Sequence, residues 1–222
     1  MGGILAIWHD LEDSSTDLYE SWLVGEHIPE RLALSGFLEA RRYEAVMGSP
    51  RYFITYAVAS PETLASPQYL ERLASPTPLT IEAMRGFRNM KRTACALAYR
   101  SPRKALGGCA IAAYAEAPAA IDESALLGQA AALERDPRVV GVQVWRPAQG
   151  PASATSSEAK LRPGGDRRIE AALVVEVLRE DDGAALEDTV RAALRRSTTS
   201  VPDNVRIHVD TYRLLGVWRN GS

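Results

Sequence analysis

Apolar and polar positions along this chain fall into the same order of runs twice. "GGILAIWHDL" (2–11) is a short apolar run that ends polar, and it reads as a strand. In "SSTDLYESWLVGEHIPERLAL", Leu18 and Trp22, and Tyr19 and Leu23, recur at helical spacing. Ser15 or Thr16 supplies a cap, and acids follow in the first turn. "FLEARRYEAVM" alternates, with Phe37, Arg41, Tyr43 and Ala45 on one side. "GSP" then turns the chain into "RYFITYAVA", rich in aromatic and β-branched residues. Pro61, Pro67, Pro76 and Pro78 punctuate the next segment, so the pattern predicts short helices there rather than one long one. "RNMKRTACALAYR" closes the unit as a strand, and the order is β-α-β-β-α-β.

"SPRKALGG" (101–108) reads as a linker, after which the order repeats. "CAIAAYAEA" is a strand, and "DESALLGQAAALERD" is a helix with Asp122 as its cap. "VVGVQVWRPA" and "RRIEAALVVEVL" form a hairpin, "DGAALEDTVRAALRRS" is a helix, and "VRIHVDTYRLLGV" is the last strand. The second hairpin loop, 148–167, is long and rich in Ala, Ser, Gly and Pro. That composition predicts disorder, with a lid over a pocket as the alternative. A β-α-β-β-α-β unit makes a four-stranded antiparallel sheet with both helices on one face. The bare faces of two such sheets can bury each other. The expected fold is therefore α+β: two tandem ferredoxin-like units, 1–100 and 109–222, packed face to face as an intrachain α/β-barrel pseudo-dimer. A ligand is then expected between the sheets or at the open end of the half-barrel. Exposed outer sheet edges leave room for further association, so the expected state is a monomeric pseudo-dimer or a homodimer.

Composition narrows the partners. The 222 residues are 46% hydrophobic, enough for a sizeable core, and the formal net charge is −2. No strong field results, so nucleic acid and anionic membranes are not expected partners. No apolar run approaches the roughly 20 residues of a membrane-spanning helix. The N-terminus lacks the pattern of a signal peptide. Cys95 and Cys109 have no metal-ligand spacing, and a reduced cytoplasm is the simpler expectation. P-loop, dinucleotide, G-x-S-x-G and HExxH signatures are absent. With three scattered histidines, a tight protein-ligated metal site is not expected.

"W-H-D" in the first strand, "EHIPERLALSGFLEARRY", "RYFITYAVASPETLASPQYLERL" and "FRNMKRTACAL" together resemble the dimeric α/β-barrel superfamily, and within it EthD-like proteins. The resemblance covers roughly residues 4–99, and "H-x-P-E-R-L" followed by "G-F" is its most specific part. The second half shares only the order of elements and has "ERDPRVVGVQVW" in place of "HIPERL". The resemblance therefore implies a degenerate repeat beside one working pocket. It implies no single reaction, since the superfamily includes cofactor-free monooxygenases, muconolactone isomerase-like enzymes, polyketide cyclases and haem-handling proteins.

His27 is the leading chemical candidate. It follows Tyr19 and Leu23 on the helix stripe, and Pro29 is expected to break the helix beside it and free the ring for a cleft. An imidazole transfers protons near neutral pH, which suits enolisation, lactone isomerisation or deprotonation of a phenol. The alternative is a histidine that caps the broken helix. Glu30 either orients that ring or sits in a new helix's first turn, and Arg31 reads as a surface ion-pair partner. Trp8 and Asp10 share one sheet face, with His9 on the other. Arg41 and Arg42 lie on opposite faces: either one points inside and needs a carboxylate, which a carboxylated ligand would supply, or both charges sit at the sheet edge. Tyr52 and Tyr56 share a face and are either hydrogen-bond donors to a ligand or core aromatics; Tyr43, Tyr56, Trp8 and Arg41 are the candidates to position a substrate, and Arg88 and Asn89 suit a pocket mouth or a plain strand start. The expected function is a cofactor-independent lyase, isomerase or oxygenase acting on an aromatic or lactone-like carboxylated metabolite. The alternative is a binding or stress-response module for a hydrophobic ligand or haem, with His208 as an iron ligand from the opposite wall.

Overall fold

The computed structural model describes residues 2–102, 104–116, 118–149, 157–199 and 205–220. Strand β1 (Gly3–Leu11) leads to helix α1 (Thr16–Trp22), a widened turn (Leu23–His27) and helix α2 (Ile28–Leu32). The hairpin of β2 (Phe37–Ala45) and β3 (Tyr52–Val58) follows, then α3 (Pro67–Ala74), α4 (Pro78–Arg85) and β4 (Phe87–Arg100). The second half runs β5 (Cys109–Glu116), α5 (Glu123–Leu133), β6 (Val139–Pro147), α6 (Ser157–Leu161), β7 (Ile169–Val177), α7 (Glu180–Arg196) and β8 (Ile207–Arg219).

Local chemistry accounts for most helix starts. α3 and α4 each open on a proline, and the Ser66 and Thr77 hydroxyls accept the backbone N–H groups of Tyr69 and Thr80. The Asp122 carboxylate accepts the Ala125 N–H at the start of α5. The expected cap of α1 differs. Ser15 makes no side-chain capping bond, and the Thr16 hydroxyl donates instead to the Asp13 carbonyl.

The two sheets are not stacked as separate layers. Their edges join by hydrogen bonds into one closed barrel of antiparallel strands in the order β1-β3-β2-β8-β5-β7-β6-β4. The two longest strands make the two seams, one each. β4 pairs with β1 through Phe87–Ala96 and then with β6 through Cys95–Arg100. β8 pairs with β5 through Ile207–Arg213 and then with β2 through Tyr212–Arg219. The outer sheet edges expected to be exposed are therefore consumed by closure.

Closure makes an inside and an outside. Ile4, Ala6, Trp8, Tyr43, Phe53, Tyr114 and Trp145 belong to the cluster that fills the inside. The Trp8 ring stacks on Phe53 at 4.7 Å and meets Tyr114 at 4.6 Å. The space between the sheets, where a ligand was expected, is thus occupied mid-barrel by aromatic rings. Helices cover the outer face in two further clusters, one per half. The α7 backbone runs so close to β8 that a Cβ on Gly183 would lie 2.5 Å from Thr211 Cγ2. A bulge between Phe37 and Glu39 shifts the phase of β2. Phe37 consequently packs under the helices, whereas Tyr43 faces inward, although simple alternation put them on one side. Trp8→Ala should cost about 3–5 kcal/mol in a urea melt. A loss below about 1 kcal/mol would show that the barrel is not packed on this ring.

Candidate functional site

A cavity lies outside the barrel, between the helix-facing side of the first-half sheet and the helices above it. About 420 Å³ there is free of protein atoms, part of it open to solvent. β1 contributes Leu5, Ile7 and His9, β3 contributes Ile54 and Tyr56, and the helix contributes Tyr19, Trp22, Leu23, His27 and Arg31. Apart from Trp22, the helical residues are the stripe that starts at Tyr19 and repeats every fourth position, carried one step further to Arg31.

The helix does not break at His27. Backbone angles stay right-handed helical from Trp22 through Ile28, and the Ile28 N–H donates to Leu23 five residues back. This single wide turn accommodates a proline in mid-helix, where an ordinary turn would set its ring against the carbonyl four residues earlier. Neighbours hold the turn in place. Glu26 accepts the Thr77 hydroxyl at 2.5 Å and the Thr80 hydroxyl at 3.1 Å, and the Trp22 indole donates to Thr80 at 2.9 Å. His27 is therefore buried on the cavity wall, 4.3 Å from the Trp22 ring and 6.3 Å from Tyr56.

The lining side chains carry an unusual set of buried polar atoms without hydrogen-bond partners. They are both ring nitrogens of His9, Nδ1 of His27, the hydroxyls of Tyr19 and Tyr56, and Nη1 of Arg31. Buried polar groups are normally paired, and each orphan costs about 1–3 kcal/mol. Burial dominates their titration. It pushes His9 down to about 3 and His27 well below the ordinary histidine value, with the Arg31 charge adding to the shift at His27. Burial raises the Tyr56 phenol above its ordinary value. Both imidazoles are accordingly neutral at pH 7.

The cover comes from the other half of the chain. Arg31 is not on the surface: it is 1% exposed and pairs with Glu158 of α6. Arg162 holds Asp166 through Nε at 2.7 Å and lies 3.4 Å from Met84 Sδ. The expected disorder of 148–167 therefore does not extend to residues 157–167. They fold because Glu158 and Ala159 find a buried site over the cavity; residues 150–156 lie outside the described residues.

The other sequence candidates are elsewhere. Trp8 and Tyr43 are inside the barrel. Arg41 is also inside, and its carboxylates come from the chain itself, Glu39 and Glu176. Arg42 faces outward and pairs with Glu20. Glu30 is part-exposed, 3.5 Å from Arg72. Arg88 pairs with Glu12, and Asn89, at a positive φ of 52°, donates to Asp10 at 2.8 Å. Of the candidate site residues, only His27 and Tyr56 meet in this cavity, while Arg41 and Tyr43 meet inside the barrel. The structure adds His9, Tyr19, Arg31 and Glu158 to the cavity. His9 was legible from its alternation with Leu5 and Ile7; Arg31 continues the helix stripe, but its burial depends on distant Glu158. Nothing local marks Glu158.

No protein-family model and no curated protein matches the chain. Solved structures do. An anthrone oxidase-like protein aligns with TM-score 0.61 at 10% identity, covering 100% of this chain and 94% of that one. A candidate monooxygenase from Lactobacillus acidophilus aligns with TM-score 0.53 at 8% identity, covering 99% and 97%. A haem-binding protein from Thermus thermophilus aligns with TM-score 0.52 at 10% identity, covering 97% and 91%. The fold is thus α+β, similar to the dimeric α/β barrels.

The expectation that the chain needs no cofactor does not survive these likenesses, because chlorite dismutases stand beside the haem-binding protein among structures of this fold. The residues present do not fit a haem as packed. A ligating histidine ordinarily donates its second N–H to a fixed acceptor, and the buried Nδ1 of His27 has none. His208 sits 3.1 Å from Glu116 through Nε2 and lies against the Tyr114 ring at 4.8 Å. Among the described residues no cluster of three or more His, Cys, Asp or Glu could hold a metal ion, and no helix is long and apolar enough to cross a membrane.

Two measurements follow. A folded-state pKa below the unfolded value means the unfolded chain binds more protons, so stability falls as pH drops below about 6.5. His9→Phe should remove up to about 1.4 kcal/mol per pH unit of that slope in melts between pH 7 and 4; an unchanged slope would show that His9 protonates in place. Glu158→Ala should cost about 3–5 kcal/mol, because it leaves Arg31 buried and unpaired. A loss below about 1 kcal/mol would mean that α6 lifts away and lets water reach Arg31.

Proposed function

We propose that this chain is a small-molecule enzyme of oxidase or monooxygenase type that takes a planar phenolic or enolisable aromatic compound into the His27 cavity. The observation that carries the reading is the set of orphaned polar atoms around an apolar, ring-lined space. A flat apolar body with a few polar substituents satisfies such a wall, and water alone cannot fill its apolar part. The oxidase-like and monooxygenase-like names among the structural relatives support the reaction type.

In this reading His27 is the base. Its lowered pKa keeps the imidazole unprotonated and ready to accept a proton from a phenol O–H or from a C–H beside a carbonyl. The product is a phenolate or enolate, electron-rich and prepared for oxidation. The Arg31 guanidinium stabilises that anion, and its own pairing with Glu158 makes closure of α6 part of the site. The Tyr56 hydroxyl donates to the substrate oxygen. Trp8, Arg41 and Tyr43 have no part in this cavity, and Glu30, Arg88 and Asn89 stand outside it.

The strand order supports reading the chain as two ferredoxin-like repeats, 1–100 and 109–222, joined by 101–108. Within each half the first strand lies between the third and the last, and both helices lie on the outer face. "HIPERL" supports placing the first half with EthD-like proteins. A second functional reading, a carrier that holds the same aromatic ligand without turnover, is favoured by the enclosure of the cavity beneath α6.

Anthrone is the first substrate to offer, with dioxygen uptake as the readout. His27→Ala should keep the fold by circular dichroism and lower kcat at least about 100-fold, and Tyr56→Phe should raise KM more than it lowers kcat. Saturable binding with no uptake would select the carrier. Full turnover in His27→Ala would remove His27 from the chemistry.

A further inference from the structure

The wall of the His27 cavity has no opening wide enough for an aromatic ring. Every lining residue except Arg92 is buried, including Glu158 and Arg162 of the segment that covers it. A ligand therefore enters only if part of the wall moves. Most of the wall is fixed. β1, β3 and β4 belong to the closed barrel. The helix that carries His27 is pinned to α4 by the bonds of Glu26 and Trp22 with Thr77 and Thr80.

α6 is the exception. It is five residues long and rests on α3 and α4. Beyond it the chain is stitched to β4 at Arg167, whose N–H donates to Met90 and whose carbonyl accepts from Arg92, both at 3.0 Å. Between α6 and that anchor lie Gly164 and Gly165, exposed and at positive φ of 79° and 69°. A Cβ on either would meet nothing within 4 Å among the described residues. Two such glycines beside a fixed point make a hinge. Two ion pairs set its closed position. Arg162 and Asp166 bridge the glycines, 2.7 Å apart through Nε, and Glu158 holds Nη2 of Arg31 at the far end. When α6 swings out, Glu158 and Arg31 both return to water, so the motion strands neither charge. Nη1 of Arg31 is buried without a partner among the described residues. Latch and ligand thus use different nitrogens of one guanidinium, and α6 can close over an occupied cavity.

We propose that α6 is the lid of the His27 cavity: it swings out about Gly164 and Gly165 to admit the ligand, and the Glu158–Arg31 pair latches it shut. The proposal rests on the reading of that cavity as a ligand site. It adds that, at high ligand concentration, the opening of α6 sets the rate of entry.

Thiol labelling of the full chain reads the motion without a ligand. Ala159 of α6 is 5% exposed, and Cys95, inside the barrel at 0%, is the internal clock for unfolding of the whole chain. In Ala159→Cys the new thiol should label at least ten-fold faster than Cys95. Adding E158Q should speed it at least ten-fold further and keep it ahead of Cys95. 2-Naphthol, a planar phenol, is the ligand probe, followed by stopped-flow fluorescence. Its observed binding rate should level off as concentration rises, and the plateau should rise at least ten-fold in E158Q. Should Ala159→Cys fail to fold, the two plateaus carry the test. A thiol at position 159 that labels no faster than Cys95 would overturn the lid. So would a binding rate that climbs without a plateau and is the same in E158Q. Labelling as expected with no 2-naphthol binding would instead overturn the cavity as a ligand site, and the gate with it.

Discussion

Hydrogen-bonded closure of the barrel is the constraint from which the rest of the molecule follows. β4 and β8 are long enough to pair inside their own half and then cross to the other, at β4–β6 and β8–β2. An eight-stranded barrel encloses a space that side chains alone can fill. Trp8, Phe53, Tyr114 and Trp145 fill it at mid-height. The His27 cavity lies instead in the layer between sheet and helices.

That outer layer differs between the halves. In the second half Ile111, Ala113, Leu126, Val190 and Leu194 are fully buried in a cluster made of aliphatic and small side chains. Short side chains let α5 and α7 settle closely on the strands, as Gly183 against Thr211 shows. In the first half large rings and two histidines take that place, and rings packed at mixed angles leave space between them. The second half lends α6 to close the cavity of the first. The cavity accordingly draws its walls from both halves of the chain.

Buried ion pairs tie the halves together, among them Arg31 to Glu158 outside the barrel and Arg41 to Glu176 inside it. Desolvating such charges offsets much of their attraction, so neither is a large net source of stability. Their consequence is positional, since a buried arginine without its carboxylate is far costlier than the pair. Each pair thereby fixes one guanidinium beside a cavity, with a donor atom left over in both cases.

The elements and their order were legible in the chain. Period-two runs gave the strands, the four-residue stripe gave α1 and α2, and the prolines gave α3 and α4, because these signals are local backbone and burial preferences. His27 and Tyr56 stood out for the same reason. Local sequence could not show that Pro29 would be absorbed by a wide turn, since that needs Thr77 and Thr80 to hold Glu26 from another helix. Nor could it choose between Arg41 and Arg42 for the interior, or send Arg31 inward, because the carboxylates that permit burial lie 135 and 127 positions away. The sequence by itself determined most of the segments that would be strand or helix, α6 excepted, because those preferences are local. Only the tertiary structure decided that the sheets would close, that the ring-filled interior would displace the His27 cavity to the outer face, and which charges could afford to leave water.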